Sequence, residues 1–233
     1  MKTLATRERF LKDERGFSLP EMIVTIVIMT VVFLALFSVF DMSVRVFSFG
    51  NNKVEATESA RLGVEKMERE IRAAYPANVN DATPYLFFSA NGTTSNPPQA
   101  MPTATQITFG NELGAEGEGN GIIECPAPDN CEYITYKLSP PSNAAPCTLS
   151  PTGCSTLLRV NTANSGDPGD PVSENAVVPG GLTFTYLKSA GDPATTEGEI
   201  AKVRVSLEIR VDPGTKNSAA QRLTTEIDLR NRQ

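Results

Sequence analysis

One uninterrupted apolar segment, Met22–Phe40, constrains this chain more than any other feature of its sequence. Its 19 residues include no Lys, Arg, Asp, Glu, Gly or Pro. A helix needs about 20 such residues to cross the hydrocarbon core of a bilayer. The sequence therefore predicts a membrane-spanning helix near the N-terminus. A carboxylate, Glu21, immediately precedes the segment, and since a carboxylate at the centre of a bilayer costs about 2.5–3.5 kcal/mol, we expect it to find a partner.

The residues just ahead of this segment, GFSLPE at 16–21, complete a specific pattern. A short basic leader, this hexapeptide and the apolar helix together resemble the class III signal of type IV pilins and type II secretion pseudopilins. In that family a membrane peptidase cuts after the glycine, the new N-terminal residue is N-methylated, and the glutamate helps the subunit to enter the filament. The resemblance implies that Gly16 ends the leader, Phe17 is the methylated mature N-terminus and Glu21 is the assembly carboxylate. The alternative is an uncleaved signal anchor in which the glutamate has no special role.

Pro20 departs from the aliphatic residue most often found at its position in that family, but the geometry of a helix accommodates it. In the mature chain Pro20 falls in the first helical turn, where backbone N–H groups have no intrahelical acceptor. Its ring would clash with the carbonyl four residues earlier, which belongs to Gly16 and leaves with the leader. In the precursor, Pro20 is expected to keep the helix from extending back through the cleavage site.

The charges predict the orientation of the chain. The whole chain has a formal charge of −6 and residues 1–16 contribute +2, which leaves −8 for the mature chain. By the positive-inside rule the leader stays in the cytoplasm and everything after Phe40 is exported. We expect a single-pass precursor in the cytoplasmic membrane, followed by an extracellular or periplasmic filament. An acidic product argues against a dominant nucleic-acid-binding role, although a local basic patch stays open.

The four cysteines all fall in the exported part: Cys125, Cys131, Cys147 and Cys154. An even count in an oxidising compartment indicates two disulfides. Three pairings are open, and the short loops make Cys125–Cys131 and Cys147–Cys154 the simplest. The spacing is not that of a zinc site and the chain has no histidine, which disfavours metal binding.

After the apolar segment, a helical pattern returns from Lys53 to Tyr75 in amphipathic form. Apolar residues recur at steps of three and four, while the opposite face carries charges with the i,i+4 pairs Glu65–Arg69 and Glu68–Arg72. Gly50-Asn51-Asn52 is the weakest helical stretch, and Pro76 ends the pattern. We predict one helix from about residue 18 to 75, with a transmembrane and assembly part at 17–48 and an amphipathic part at 49–76.

From residue 77 onward the pattern changes to short strands separated by turn-rich loops. In the clearest run, apolar residues alternate with polar ones from Val203 to Val211, which predicts an antiparallel sheet with one solvated face. The predicted strands are 85–88, 106–109, 121–124, 133–138, 156–160, 182–187, 200–211 and 222–229. The predicted class is therefore α+β, and the resemblance implies a pilin fold in which the long helix packs on a β-rich domain of residues 77–233.

No catalytic constellation emerges from the sequence. Without histidine there is no Ser-His or Cys-His dyad, and the glycine-rich run 110–121 lacks the lysine and the helix of a phosphate loop. The acidic loops, including 165–170, do not match the spacing of a calcium loop. We therefore predict a protein that is not an enzyme and has no cofactor and no metal.

The order of the later segments adds a second resemblance. EREIRAAY, YITYKL, LLRV, LTFTYL, KVRVSLEIRV and TTEIDLRNR follow one another as in W-type minor pilins and the J-type pseudopilin of type II secretion. This resemblance implies a minor pilin that is incorporated into, or initiates, a type IV pilus. Its implied partners are other pilins or pseudopilins bound through the N-terminal helix, the prepilin peptidase/methyltransferase and the inner-membrane assembly platform. The alternatives are a J-like pseudopilin, or a tip subunit for adhesion or DNA uptake that binds through loops within residues 89–175.

Overall fold

The computed structural model describes residues 16–74, 87–88, 102–111, 133–142, 153–161, 168–173 and 176–229. In order, the elements are α1 (Leu19–Arg72), β1 (Phe87–Phe88), β2 (Gln106–Gly110), β3 (Tyr133–Leu138), β4 (Leu157–Asn161), β5 (Asp170–Pro171), β6 (Ala176–Leu187), β7 (Lys202–Val211) and β8 (Ala219–Asp228), with a 3₁₀ turn at Glu197–Glu199. The chain separates into two compact units, one up to Phe47 and one from Ser48 onward. Residues 1–15 of the predicted leader and the predicted strand 121–124 lie outside the described residues.

The strands form two antiparallel sheets, which confirms the predicted α+β class. One sheet contains β1 to β5 in sequential order and the other contains β6, β7 and β8. The alternation predicted for β7 is complete, since every second residue from Val203 to Val211 is buried. Its register with β8 is unbroken from Lys202 opposite Asp228 to Val211 opposite Ala219.

Strand β6 begins six residues before its predicted start at Leu182. The reason is a shift in its pairing with β7 between Val177 and Leu182, which a bulge absorbs. The bulge contains Pro179, Gly180 and Gly181, and Gly180 has a φ of 73°. Pro-Gly-Gly is also what a turn uses, so the sequence pattern alone favours a loop there. The short strand β5 lies within residues 162–175, for which the sequence predicts a loop.

The C-terminal half of α1 buries one stripe of small and apolar side chains, as its periodicity predicts. These residues are Ala56, Ser59, Ala60, Gly63, Val64, Met67 and Ile71. The approach is closest at Gly63, where an added Cβ would lie 2.9 Å from Cδ2 of Leu207 in β7 and 3.6 Å from Cδ2 of Leu157 in β4. A glycine at this position therefore lets the helix lie against both sheets at once. On the solvent face, Glu68 pairs with Arg72 as predicted, whereas Glu65 pairs with Arg61 rather than with Arg69.

The end of α1 is fixed to the first sheet by a partly buried polar cluster. Nε of Arg159 in β4 donates to both carboxylate oxygens of Glu70, at 2.9 and 3.0 Å. The hydroxyl of Tyr136 in β3 donates to Glu70 Oε2 at 2.6 Å. Burial, together with the Glu70 carboxylate, raises the pKa of Tyr136, and its ring stacks on Phe109. The carboxylate thus ties one helix to two strands.

The weakest helical stretch is held by hydrogen bonds to the turn between β7 and β8. Nδ2 of Asn52 donates to Oδ2 of Asp212 and to the carbonyl of Asn217, both at 3.0 Å. Nζ of Lys53 donates to the carbonyl of Ala220 at 2.6 Å, and Nδ2 of Asn217 donates to the hydroxyl of Ser48. Helix α1 is continuous here because tertiary contacts outweigh the low helix propensity of Gly-Asn-Asn.

The connection from β6 to β7 is ordered around an exposed carboxylate, Glu199. It accepts hydrogen bonds from the backbone N–H of Thr195, from Nζ of Lys188 and from the hydroxyl of Thr195. These donors, the Thr195 N–H first among them, lower the pKa of Glu199 to about 2 from a usual 4.5. A carboxylate with a depressed pKa stabilises the fold above its usual pKa, and this contribution is lost as the pH falls through about 2.

Replacing Arg159 by methionine should destabilise the second unit by about 3–5 kcal/mol, because it leaves the largely buried Glu70 carboxylate without its cation. Arg61→Met is the matched control. Its ion pair with Glu65 is exposed and should contribute about 0.5 kcal/mol or less. Urea unfolding of the full chain in detergent measures the free energy of unfolding of both variants. Equal losses of this free energy would contradict a structural role for the buried pair.

Replacing Lys188 by methionine should raise the pKa of Glu199 toward 4.5 but not fully restore it, because the Thr195 N–H remains. Lys202→Met removes a lysine paired with Asp228 at 3.6 Å instead and should leave the pKa of Glu199 unchanged. A carbon-13 NMR titration of the Glu199 carboxyl group from pH 1 to 6 distinguishes them. An unchanged pKa in Lys188→Met would show that the lysine does not hold the carboxylate.

Candidate functional site

The predicted cleavage position lies just outside the N-terminal end of α1. Residues 16–18 are not helical, and the helix begins at Leu19, with Pro20 in its first turn. The N–H of Met22 donates to the carbonyl of Ser18 at 3.1 Å. The Gly16–Phe17 peptide bond is therefore in non-helical backbone, as expected from Pro20, and Phe17 is 72% exposed. A protease that binds its substrate in an extended conformation would find this bond accessible.

The fold of the chain does not itself require a glycine at position 16. A Cβ added to Gly16 would meet no atom within 4 Å, and the backbone there is not in the left-handed region. This differs from Gly63, where the side chain of Leu207 already lies within 2.9 Å of such an atom.

The described part of the first unit, residues 16–47, is exposed throughout, and most of its side chains are apolar. An 18-residue window of α1 reaches a mean hydropathy of 2.9, so this helix is long and apolar enough to cross a membrane. The hydroxyls inside the apolar stretch bond to carbonyls of the helix itself: Thr25 to Met22, Thr30 to Ile26, Ser38 to Ala35 and Ser43 to Val39. These hydroxyls therefore need no hydrogen-bond acceptor outside the helix.

Glu21 is the charged side chain of residues 16–47 that has no partner among the described residues. Farther along the helix, Asp41 and Arg45 form an ion pair at 2.8 Å. Glu21 is exposed in the first turn of α1, where the helix dipole favours a negative charge. Among the described residues it has no ion pair or hydrogen bond. The helix therefore begins with a carboxylate that can pair with a cationic group, and an apolar surface follows it directly.

The predicted cysteine pairs are only partly within the described residues. Cys154 is buried and disulfide-bonded, and its backbone forms an isolated antiparallel β-bridge with that of Ser142. Cys125, Cys131 and Cys147 lie outside the described residues, so the pairing stays a prediction.

In the described residues of the second unit, the structure adds one polar cluster to what the sequence predicts. Among the described residues, no group of three or more His, Cys, Asp or Glu side chains could hold a metal ion. The polar cluster of Glu70, Arg159 and Tyr136 was not predicted, because a local pattern carries no signal for partners 66 and 89 residues away. Its donors and acceptors are turned toward one another, so its role is structural. Most of the loops between 89 and 175 lie outside the described residues.

Comparison with known proteins agrees with the geometry of the N-terminal segment. The prokaryotic N-terminal methylation motif matches residues 11–37, a range that includes Gly16, Phe17, Glu21 and most of the apolar segment. No curated protein and no solved structure matches the chain. The motif, together with an exposed apolar helix and two antiparallel sheets, indicates a type IV pilin-like prepilin.

Proposed function

We propose that the chain is a minor pilin, which enters or initiates a type IV pilus after its leader is removed and Phe17 is N-methylated. The observation that carries this proposal is the methylation motif at residues 11–37 joined to an exposed apolar helix. Proteins with this motif are structural subunits, which fits a chain without a catalytic constellation. The long exported domain with its several loops favours a minor subunit over a compact shaft subunit.

Cleavage would create the partner that Glu21 lacks. In the precursor the nitrogen of Phe17 is an uncharged amide, whereas after cleavage it is an amine. A free α-amino group titrates near pH 8, so it is largely protonated at pH 7. The amine of the same subunit or of a neighbour can then pair with the Glu21 carboxylate. Pairing would offset the desolvation of both charges inside a filament, while either charge buried alone would cost several kcal/mol.

The proposed partners follow from the same steps. A prepilin peptidase/methyltransferase would act at Gly16 and Phe17, an inner-membrane platform would extract the subunit, and other pilins would pack on α1. A J-like pseudopilin of type II secretion is the second candidate, because the order of the later sequence segments resembles it as well as the W-type minor pilins. Genes for a pilus or a secretion ATPase beside this one would separate the two candidates.

Mass analysis of the N-terminus of exported protein should find a chain that begins at methylated Phe17. Gly16→Val should accumulate as precursor at least tenfold over wild type, and since a Cβ at this position meets no atom, the variant should still fold. A circular dichroism spectrum matching wild type serves as the control for folding. An exported chain that still begins at Met1 would overturn the proposal.

Glu21→Ala should insert in the membrane and be cleaved like wild type, because removal of a charge eases insertion. It should fail to enter filaments, with at least a tenfold lower share in the sheared filament fraction than in wild type. Glu58→Ala, which removes an exposed carboxylate from the same helix, is the matched control and should assemble normally. Normal assembly of Glu21→Ala would show that this carboxylate is not the assembly group.

A further inference from the structure

Pro20 acts on one particular backbone atom of the proposed cleavage site, the carbonyl oxygen of Gly16. In an α-helix, the N–H of residue 20 donates to the carbonyl of residue 16. That carbonyl belongs to the Gly16–Phe17 peptide bond, the bond proposed to be cut. Proline has no backbone N–H, so this helical hydrogen bond cannot form. A residue of low helix propensity only weakens a helix, whereas proline at residue 20 removes the one donor that a helix would direct at the scissile carbonyl.

The start of α1 agrees with this limit. The first helical hydrogen bond runs from the N–H of Met22 to the carbonyl of Ser18, at 3.1 Å. Helix α1 begins at Leu19, and residues 16–18 are non-helical and exposed. Among the described residues, no backbone N–H donates to the carbonyl of Gly16. Since a Cβ added to Gly16 would meet no atom within 4 Å, the local sequence and not tertiary packing ends the helix before the scissile bond.

The missing N–H also suits the mature chain. Once residues 1–16 are removed, an N–H at residue 20 would have lost its helical acceptor. In lipid, or between apolar helices, an unpaired N–H is costly because no water is present to bond it. Proline has no such donor to leave unpaired. Pro20 therefore fits both the precursor and the product of cleavage.

We infer that Pro20 is a positioning residue for leader cleavage, which keeps the Gly16 carbonyl out of the helix so that the peptidase can bind it. Hydrolysis of a peptide bond places negative charge on this oxygen, which must be free to accept hydrogen bonds from the enzyme. If part of the precursor held this carbonyl in a helix, only the remaining fraction could bind, and the apparent dissociation constant would rise accordingly. The inference rests on the proposed function, because it takes Gly16–Phe17 as the bond that is cut. It predicts an effect on KM and not on kcat.

The test measures cleavage of the full-length precursor in detergent by the purified prepilin peptidase of the host. Pro20→Leu restores the N–H at residue 20. We expect its KM to rise about threefold to tenfold, the factor that one net hydrogen bond is worth, while its kcat stays close to that of wild type. In the same variant, the carbon-13 shift of the Gly16 carbonyl should move toward helical values. An unchanged KM, or a lower kcat at unchanged KM, would overturn the inference.

A second pair of variants separates the missing N–H from the shape of the proline ring. In the Pro20→Leu precursor, a backbone ester at residue 20 (leucic acid in place of leucine) removes the N–H again without a ring. It should return KM to the wild-type value. The matched control carries the ester at Leu19 instead, whose N–H would be directed at the carbonyl of Arg15 in a helix, and its KM should stay high. Equal KM values for the two esters would contradict a role for the N–H at residue 20.

The same assay distinguishes this inference from the proposed function. If the wild-type precursor is not cut between Gly16 and Phe17, the proposed function and the inference both fail. If wild type is cut there and Pro20→Leu is cut with the same KM and kcat, only the inference fails. Gly16→Val, for which we expect the precursor to accumulate, gives the background of the assay.

Discussion

The burial of one stripe of α1 against both sheets holds the second unit together. The two sheets are joined directly by backbone hydrogen bonds between Ser155 and Val177, and at Gly63 the helix lies against a side chain from each of them. Apolar contact sets how close the helix lies, but it does not fix the position of the helix along its axis. Polar contacts fix this position at two places, at Glu70 near the C-terminal end of α1 and at Asn52 where the buried stripe of α1 begins. Since hydrogen bonds are directional, these contacts give the packing its register.

The same helix meets a different requirement in its first half. There the side chains are apolar on nearly all sides, and the hydroxyls are satisfied by the helix backbone. Such a surface is compatible with lipid and with other apolar helices. Glu21 is the exception, because a carboxylate is costly in both surroundings unless it is paired. One residue can therefore bias the helix toward the surroundings that supply a cation.

Much of this arrangement could be predicted from the sequence, and the exceptions have physical reasons. Helix α1 and strand β7 were predicted because long, strictly periodic patterns leave little choice of structure. The start of β6 was missed because Pro-Gly-Gly can make a turn or a bulge, and only pairing with β7 decides between them. Glu70 was missed because its partners lie far away in the chain. The N-terminal motif can be found in the sequence for the opposite reason, since Gly16, Phe17 and Glu21 are close together in the chain, within the range that the methylation motif matches.

The turn between β7 and β8 has a mechanical consequence. The turn bonds to Ser48 and Asn52, and Ala220 at the start of β8 bonds to Lys53, so these contacts lie on and beside the most weakly helical stretch of α1. A pull directed along α1 from its N-terminal half would reach the second unit at these bonds first. Three neighbouring residues share them, so the load would be distributed over several bonds at once, and the Gly-Asn-Asn stretch would be shielded from unwinding. The turn and the start of β8 can thus reinforce α1 at the residues where the helix begins to pack on the second unit.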